Sequence, residues 1–177
     1  MSRIVRASFS LISSGTELKI FQGRFDDDAP LDVNIKSMED ERMSYPLSYG
    51  YCLVGVVIDC GSEISRENYV GKTVFTFSPH ATHVMVEADA VQVVPEGINE
   101  IDAIFMASVE TALSIVHDAN VRVGENVAVY GQGLIGLLIT AILSHKRGIF
   151  DVPSGRFDSI TAFDVIPDRL AAASKIG

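Results

Sequence analysis

Three things are scarce in this sequence: positive charge, cysteine and long apolar runs. Among 177 residues there are 14 Lys+Arg against 23 Asp+Glu, for a formal net charge of -9. An acidic surface repels phosphate backbones, so nucleic-acid binding is not expected. The longest apolar stretch, Leu134 to Leu143, contains Gly136 and Thr140. It falls short of the ~20 residues that a membrane helix needs, so no membrane partner is expected. The opening MSRIVRASFS lacks the apolar core of a secretory signal. The two cysteines, Cys52 and Cys60, cannot build a disulfide scaffold or a four-Cys zinc lobe. They flank a strand-like run and read as reduced, buried thiols. Together these features fit a cytoplasmic chain.

What is present is a globular composition, 47% hydrophobic and 21% charged, in two textures. Residues 1–97 carry short strand signals separated by glycine turns. The strands expected are Ile4–Leu11, Leu53–Gly61, Gly71–Phe77, His83–Val86 and Val91–Val94. Gly55, inside the second, suggests close backbone approach. Ser13 or Ser14 is placed to cap a short helix through Leu18 and Phe21, with Gly23 ending it. The acidic run from Asp26 to Asp28 lacks the ligand spacing of an EF-hand and reads as a charged turn. Residues 98–177 alternate helix and strand. One helix is expected from an Asn99 cap to about Asp118, with Asp102 at its positive end. A turn at Gly124-Glu125 leads into a strand, Asn126–Tyr130. An apolar helix follows to about His145, then a polar loop Lys146–Ser159, a strand Ile160–Asp164 and a helix Pro167–Lys175.

The strongest chemical signal is Gly131-Gln132-Gly133-Leu134-Ile135-Gly136. Glycine triplets are common, but this one follows an apolar strand, opens a helix and precedes a strand ending in Asp164. Gly131 permits a tight turn, Gly133 lets a pyrophosphate approach the backbone, and Gly136 lets the helix pack close to the strand. The first helical N–H groups face the phosphates. Asp164 would accept hydrogen bonds from the adenosine ribose and repel a 2′-phosphate, which favours NAD over NADP. Asp164 lies 28 residues after Gly136, beyond the usual separation of roughly 20. The excess falls in the polar loop, which suits a surface insertion.

In order along the chain, Ser13-Ser14-Gly15-Thr16-Glu17-Leu18, Gly50–Val57, Gly71–Phe75 and Val129–Gly136 resemble four segments of the medium-chain dehydrogenase/reductase superfamily. The wording of Ser14–Glu17 and Pro79–His83 is most similar to a zinc-lacking branch that includes bacteriochlorophyllide hydroxyethyl dehydrogenase-like proteins. The resemblance implies a GroES-like β-barrel domain (1–97, the substrate and catalytic domain) followed by an incomplete Rossmann parallel sheet (98–177). It implies NAD(P)-dependent hydride transfer with a small-molecule alcohol or ketone. Gly131, Gln132, Gly133, Leu134, Ile135, Gly136 and Asp164 would hold the cofactor. The family's catalytic zinc uses a Cys in the first segment and a Gly-His-Glu in the second; the matching positions here hold Ser14 and Gly50-Tyr51-Cys52. A hydroxyl is a poor zinc ligand beside thiolate or imidazole, so no metal is expected.

Without zinc, the proton at the substrate oxygen needs a protein group. Thr16 matches the family's hydroxyl relay, and Tyr51 is a second candidate. Glu17 and Glu110 are weaker ones, because exposed helix faces explain them. His80 and His83 form a metal pair only with a third ligand, and packing or surface histidines are the favoured reading. From Asn126 the chain supplies only two of the six strands of a complete dinucleotide sheet. A fragment of a protein roughly twice this length, homo-oligomeric when full length, is therefore expected. Two rival readings stay open: a non-catalytic scaffold of the same fold, and a quinone- or enoyl-type reductase, for which NADPH preference would be the mark.

Overall fold

The computed structural model describes residues 2–26, 28–32, 35, 38, 42–62, 66–122, 125–145 and 157–176. The expected turn at Gly124 and most of the expected loop, residues 146–156, lie outside these, as does Asp27 of the acidic run. The chain divides into two compact units, Met1–Met106 and Ala107–Gly177, against the change of texture read at 97–98. Among the described residues no helix is long and apolar enough to cross a membrane.

The first unit is built on an antiparallel sheet of five strands in the order β4-β1-β2-β3-β5. These are β1 (Ser2–Ser10), β2 (Leu53–Cys60), β3 (Thr73–Thr76), β4 (His83–Glu87) and β5 (Val91–Val93). All five expected strands are present, with ends displaced by a residue or two. The inward residues Val5, Leu53, Val57, Cys60 and Val74 form the core, with Ala7, Tyr69, Val84, Val86 and Val91 packed on it. Val5 pairs with Val57 in the β1–β2 register, which is why period-2 valines on both strands meet on one face. Beside a register shift between Ala7 and Phe9, a Cβ at Gly55 would fall 2.2 Å from the Arg6 carbonyl oxygen. The close approach expected at that glycine is therefore real. Both cysteines are buried and free.

Helix α1 (Thr16–Phe21) starts without a side-chain cap from Gly15. Ser13 does the work instead: its N–H donates to Glu17 Oε1 at 2.8 Å, and its carbonyl accepts the Glu17 N–H at 3.0 Å. Gly23, at φ +66, ends the helix and donates to the Ile20 carbonyl, as expected. A short helix α2 (Arg66–Tyr69) lies between β2 and β3. The helix expected from Asn99 is two helices, α3 (Glu100–Ala103) and α4 (Met106–Ala119). Asn99 caps α3, its side chain accepting from the Asp102 N–H at 2.8 Å. At the break the Phe105 N–H bonds three residues back to the Asp102 carbonyl. Helical periodicity is blind to such a tightened turn.

The second unit holds α4, a parallel pair β6 (Glu125–Tyr130) and β7 (Phe157–Phe163), and helices α5 (Leu134–Ser144) and α6 (Pro167–Ala173). Strand β7 begins at Phe157, so the end of the expected loop is strand. Its register explains why: Ser159 pairs with Asn126, and their side chains hydrogen-bond at 2.8 Å. A polar cross-strand pair of this kind extends a ladder that composition alone reads as loop. Pro167 opens α6, where its missing N–H costs nothing.

Candidate functional site

Two groups of chemically capable residues stand out, one in each unit. In the second unit the turn joins β6 to α5. Gly131 has φ +85, a conformation that favours glycine. Its N–H donates to the Phe163 carbonyl at 2.7 Å, which fastens the turn to the end of β7. A Cβ at Gly136 would lie 1.8 Å from the Gly131 carbonyl oxygen, so only glycine permits this helix–strand approach. Gly133, by contrast, has nothing within 4 Å of where a Cβ would stand. It occupies the capping position of α5 in extended backbone with no side-chain cap. The first-turn N–H groups of α5 are thus left for water or a ligand.

Gln132 is fully buried and braces the bend from inside. Its side-chain amide donates to the Val129 carbonyl at 3.1 Å and accepts from the Thr140 hydroxyl at 3.0 Å. Its backbone N–H donates to Asp164 Oδ2 at 2.5 Å. Asp164 Oδ1 accepts the Ile166 N–H at 2.8 Å, and the Arg169 guanidinium stands 3.7 Å away. The carboxylate side chain is only 3% exposed. The Gln132 N–H first, and then the Ile166 N–H, hold it below the ordinary carboxylate range. Structure thus joins the acid at the end of β7 to the glycine bend, at a separation in sequence that spacing alone left odd. Beside them Tyr130 and Phe163 stack at 4.7 Å with both rings largely exposed.

In the first unit Thr16 is exposed at the start of α1, and its N–H points to Ser13 Oγ at 3.4 Å. Tyr51 is half-buried, its ring edge-on to Tyr49 at 6.2 Å. Burial, then the negative charge of Glu17, pushes the Cys52 thiol up to about 11. Burial also raises the Tyr49 phenol to about 12, with Asp32, Tyr51 and Glu17 adding to it. Glu17, the weaker candidate by sequence, is only 11% exposed and not a solvated helix face. Its Oε2 is 2.7 Å from His80 Nε2. The other ring nitrogen of His80 is 2.9 Å from Ser10 Oγ. His83 is exposed at the start of β4, beside Thr82. Ser10 and the Glu17–His80 pairing went unread in the sequence, because no local pattern connects positions 63 and 70 residues apart. Among the described residues no group of three His, Cys, Asp or Glu is placed to hold a metal ion. Glu110, on α4, is exposed.

No family model matches the chain. It is 36% identical over 101 residues to D-guloside 3-dehydrogenase of Escherichia coli, covering 55% of this chain and 28% of that protein. It is 29% identical over 130 residues to S-(hydroxymethyl)glutathione dehydrogenase of Haemophilus influenzae, covering 70% of this chain and 31% of the relative. Both relatives are dehydrogenases by name. Solved structures agree on the fold. A zinc-binding dehydrogenase from Clostridium scindens superposes with a TM-score of 0.75 at 17% identity, over 99% of this chain and 52% of that one. An E. coli alcohol dehydrogenase complexed with NADH gives a TM-score of 0.73 at 18% identity, over 99% and 53%. The resemblance read from the four sequence segments is thus upheld, and the mixed α/β fold is that of these dehydrogenases. The chain spans about half the length of the solved structures and 28–31% of the curated relatives.

Proposed function

We propose that the chain is part of a medium-chain oxidoreductase that transfers hydride between a nicotinamide cofactor and a small alcohol or ketone without catalytic zinc. In this reading the first unit is a GroES-like β domain, and the second is the opening half of a Rossmann domain. One observation carries it: the uncapped start of α5 meets an open approach at Gly133, while Gly131, Gly136 and Asp164 hold the bend around them. The open space beside Gly133 suits a pyrophosphate, and the amides of Leu134, Ile135 and Gly136 would receive it. Gln132 keeps the bend rigid from inside. Asp164, held ionised, would face the ribose and favour NAD over NADP. The nicotinamide, when bound, supplies the hydride donor or acceptor. Thr16 and Tyr51 present hydroxyls for the substrate oxygen.

The zinc-free part rests on the donor set. Ser14 offers a neutral hydroxyl, Tyr51 a phenol and Cys52 a single thiol, with no imidazole among the three. A second reading, a quinone- or enoyl-type reductase using NADPH, is favoured by one feature: Arg169, 3.7 Å from Asp164, is a guanidinium that could meet a 2′-phosphate. Fluorescence titration with NADH and NADPH separates the two. The NAD reading expects NADH to bind at least ~10-fold tighter, since one repelled phosphate is worth ~1.4 kcal/mol or more. NADPH binding tighter selects the second reading. No saturable binding of either removes both.

A further inference from the structure

We propose that Ser10, His80 and Glu17 form the acid–base unit of this oxidoreductase, with Ser10 as its outer hydroxyl, His80 as its proton store and Glu17 as the positioning residue. The inference rests on the oxidoreductase reading above and adds what that reading lacks. Converting an alcohol to a carbonyl releases one proton from oxygen. The hydroxyls of Thr16 and Tyr51 can pass a proton but cannot hold one near neutral pH, whereas imidazole can.

The hydrogen bonds fix the direction of travel. A carboxylate only accepts, so the 2.7 Å contact to Glu17 Oε2 places a proton on His80 Nε2. In the neutral ring Nδ1 is then a lone pair, and the 2.9 Å contact makes Ser10 Oγ–H its donor. Glu17 cannot turn away easily, because its other oxygen accepts the Ser13 N–H at 2.8 Å. Exposure rises along the chain of contacts, from 11% for Glu17 to 29% for His80 to an open Ser10 at the end of β1. That is the gradient expected when a buried acid orients a base that serves an accessible hydroxyl.

The backbone makes room for the ring. Gly50 has φ +135, and a Cβ there would fall 2.8 Å from His80 Cδ2 and 2.9 Å from Nε2. The His80 N–H bonds the Tyr49 carbonyl at 3.2 Å, which holds the ring's own backbone against the same segment. Gly50-Tyr51-Cys52 is the stretch that matches the family's Gly-His-Glu but carries no imidazole of its own. The imidazole beside it comes instead from the loop after β3.

During oxidation the substrate O–H proton passes to Ser10 Oγ as the Ser10 proton moves to Nδ1. A nicotinamide cofactor, when bound, would supply the acceptor for the C–H electron pair as hydride, so that a neutral carbonyl remains. His80 is left as an imidazolium against Glu17 and returns its proton to water after product leaves. Reduction runs the same transfers backwards.

The ring's tautomer tests this without any substrate. Nitrogen-15 spectra of the chain, with His80 assigned by comparison with His80→Gln, should show the neutral ring protonated at Nε2, and Glu17→Ala should abolish that preference. A wild-type ring protonated mainly at Nδ1 overturns the relay. Turnover of the full-length protein then tests function, with 2,3-butanediol and xylitol as probes. His80→Ala should lose ~100-fold or more in kcat, keep its NADH affinity and recover partly with added imidazole. Wild-type rates in His80→Ala, or a loss that imidazole does not restore, overturn the relay and leave the oxidoreductase reading standing. Full-length wild-type protein that binds neither NADH nor NADPH sinks that reading and the relay with it.

Discussion

Replacing Gly136 with alanine sets two opposed effects against each other in one position. Helix propensity favours the change: alanine in a helix interior is better than glycine by about 1 kcal/mol. Packing opposes it. The new Cβ would start 1.8 Å from the Gly131 carbonyl oxygen, where real Cβ contacts stay beyond 3.0 Å, so something must move by about 1.2 Å. The obstacle is backbone, and it is pinned. Gly131 sits at φ +85 with its N–H on the Phe163 carbonyl, and the next N–H is held by Asp164. Relief therefore strains the turn or breaks hydrogen bonds worth ~1 kcal/mol each, on top of overpacking of ~1–3 kcal/mol. The net expectation is a loss of ~2 kcal/mol. With a urea m-value of ~2 kcal/mol/M, the unfolding midpoint of the second unit, followed by circular dichroism, should fall by ~1 M. Gly133→Ala is the control. Its Cβ meets nothing within 4 Å, so its midpoint should stay within ~0.5 kcal/mol of wild type. Its NADH affinity should nevertheless drop ~10-fold or more, because the methyl occupies the phosphate approach. A Gly136→Ala protein as stable as wild type would show that propensity wins and that the close helix–strand approach is not what this glycine is for.

Two further outcomes follow from the same bend. Asp164 has a folded-state pKa lowered by the Gln132 and Ile166 N–H groups, below an unfolded value near ~3.9. Its contribution to stability is present above ~pH 4 and is lost as pH falls through the lowered folded value. Between pH ~4 and ~2 the wild-type urea midpoint should therefore fall more steeply than that of Asp164→Asn, and parallel slopes would refute the assignment. Gln132→Ala should cost ~2–4 kcal/mol, since it opens a cavity and strips the buried Thr140 hydroxyl of its acceptor; a loss under ~0.5 kcal/mol by thermal melting would show that the buried network is not needed.

Local physics made part of this molecule legible in advance. The glycine motif could be read because two of its glycines answer steric demands, the positive φ of Gly131 and the 1.8 Å approach at Gly136. The strands of the first unit were readable because valines alternate along them, and the Asn99 cap because a short polar side chain before a helix has one good use. What escaped was set by contacts distant in sequence. The turn at Ile104–Phe105 tightens on one hydrogen bond from Phe105 to Asp102, which leaves the helical period intact. The start of β7 is extended by a polar pair with Asn126. Above all, Glu17 looked like a surface residue on a six-residue helix, and His80 like a packing or surface histidine. Only the folded antiparallel sheet, which brings the end of β1 and the loop after β3 together, makes them neighbours of each other and of Ser10.

The bond between Asp164 and the Gln132 amide has a consequence for anyone who would retune nucleotide choice. The residue proposed to discriminate one ribose from another is also a strut of the loop proposed to face the phosphates. Trading it for a small neutral side chain, the obvious route to admitting a bulkier nucleotide, would slacken the loop at the same stroke, so selectivity and grip would change together. A successful redesign would first have to supply another oxygen to the Gln132 N–H, and only then open the space beyond it.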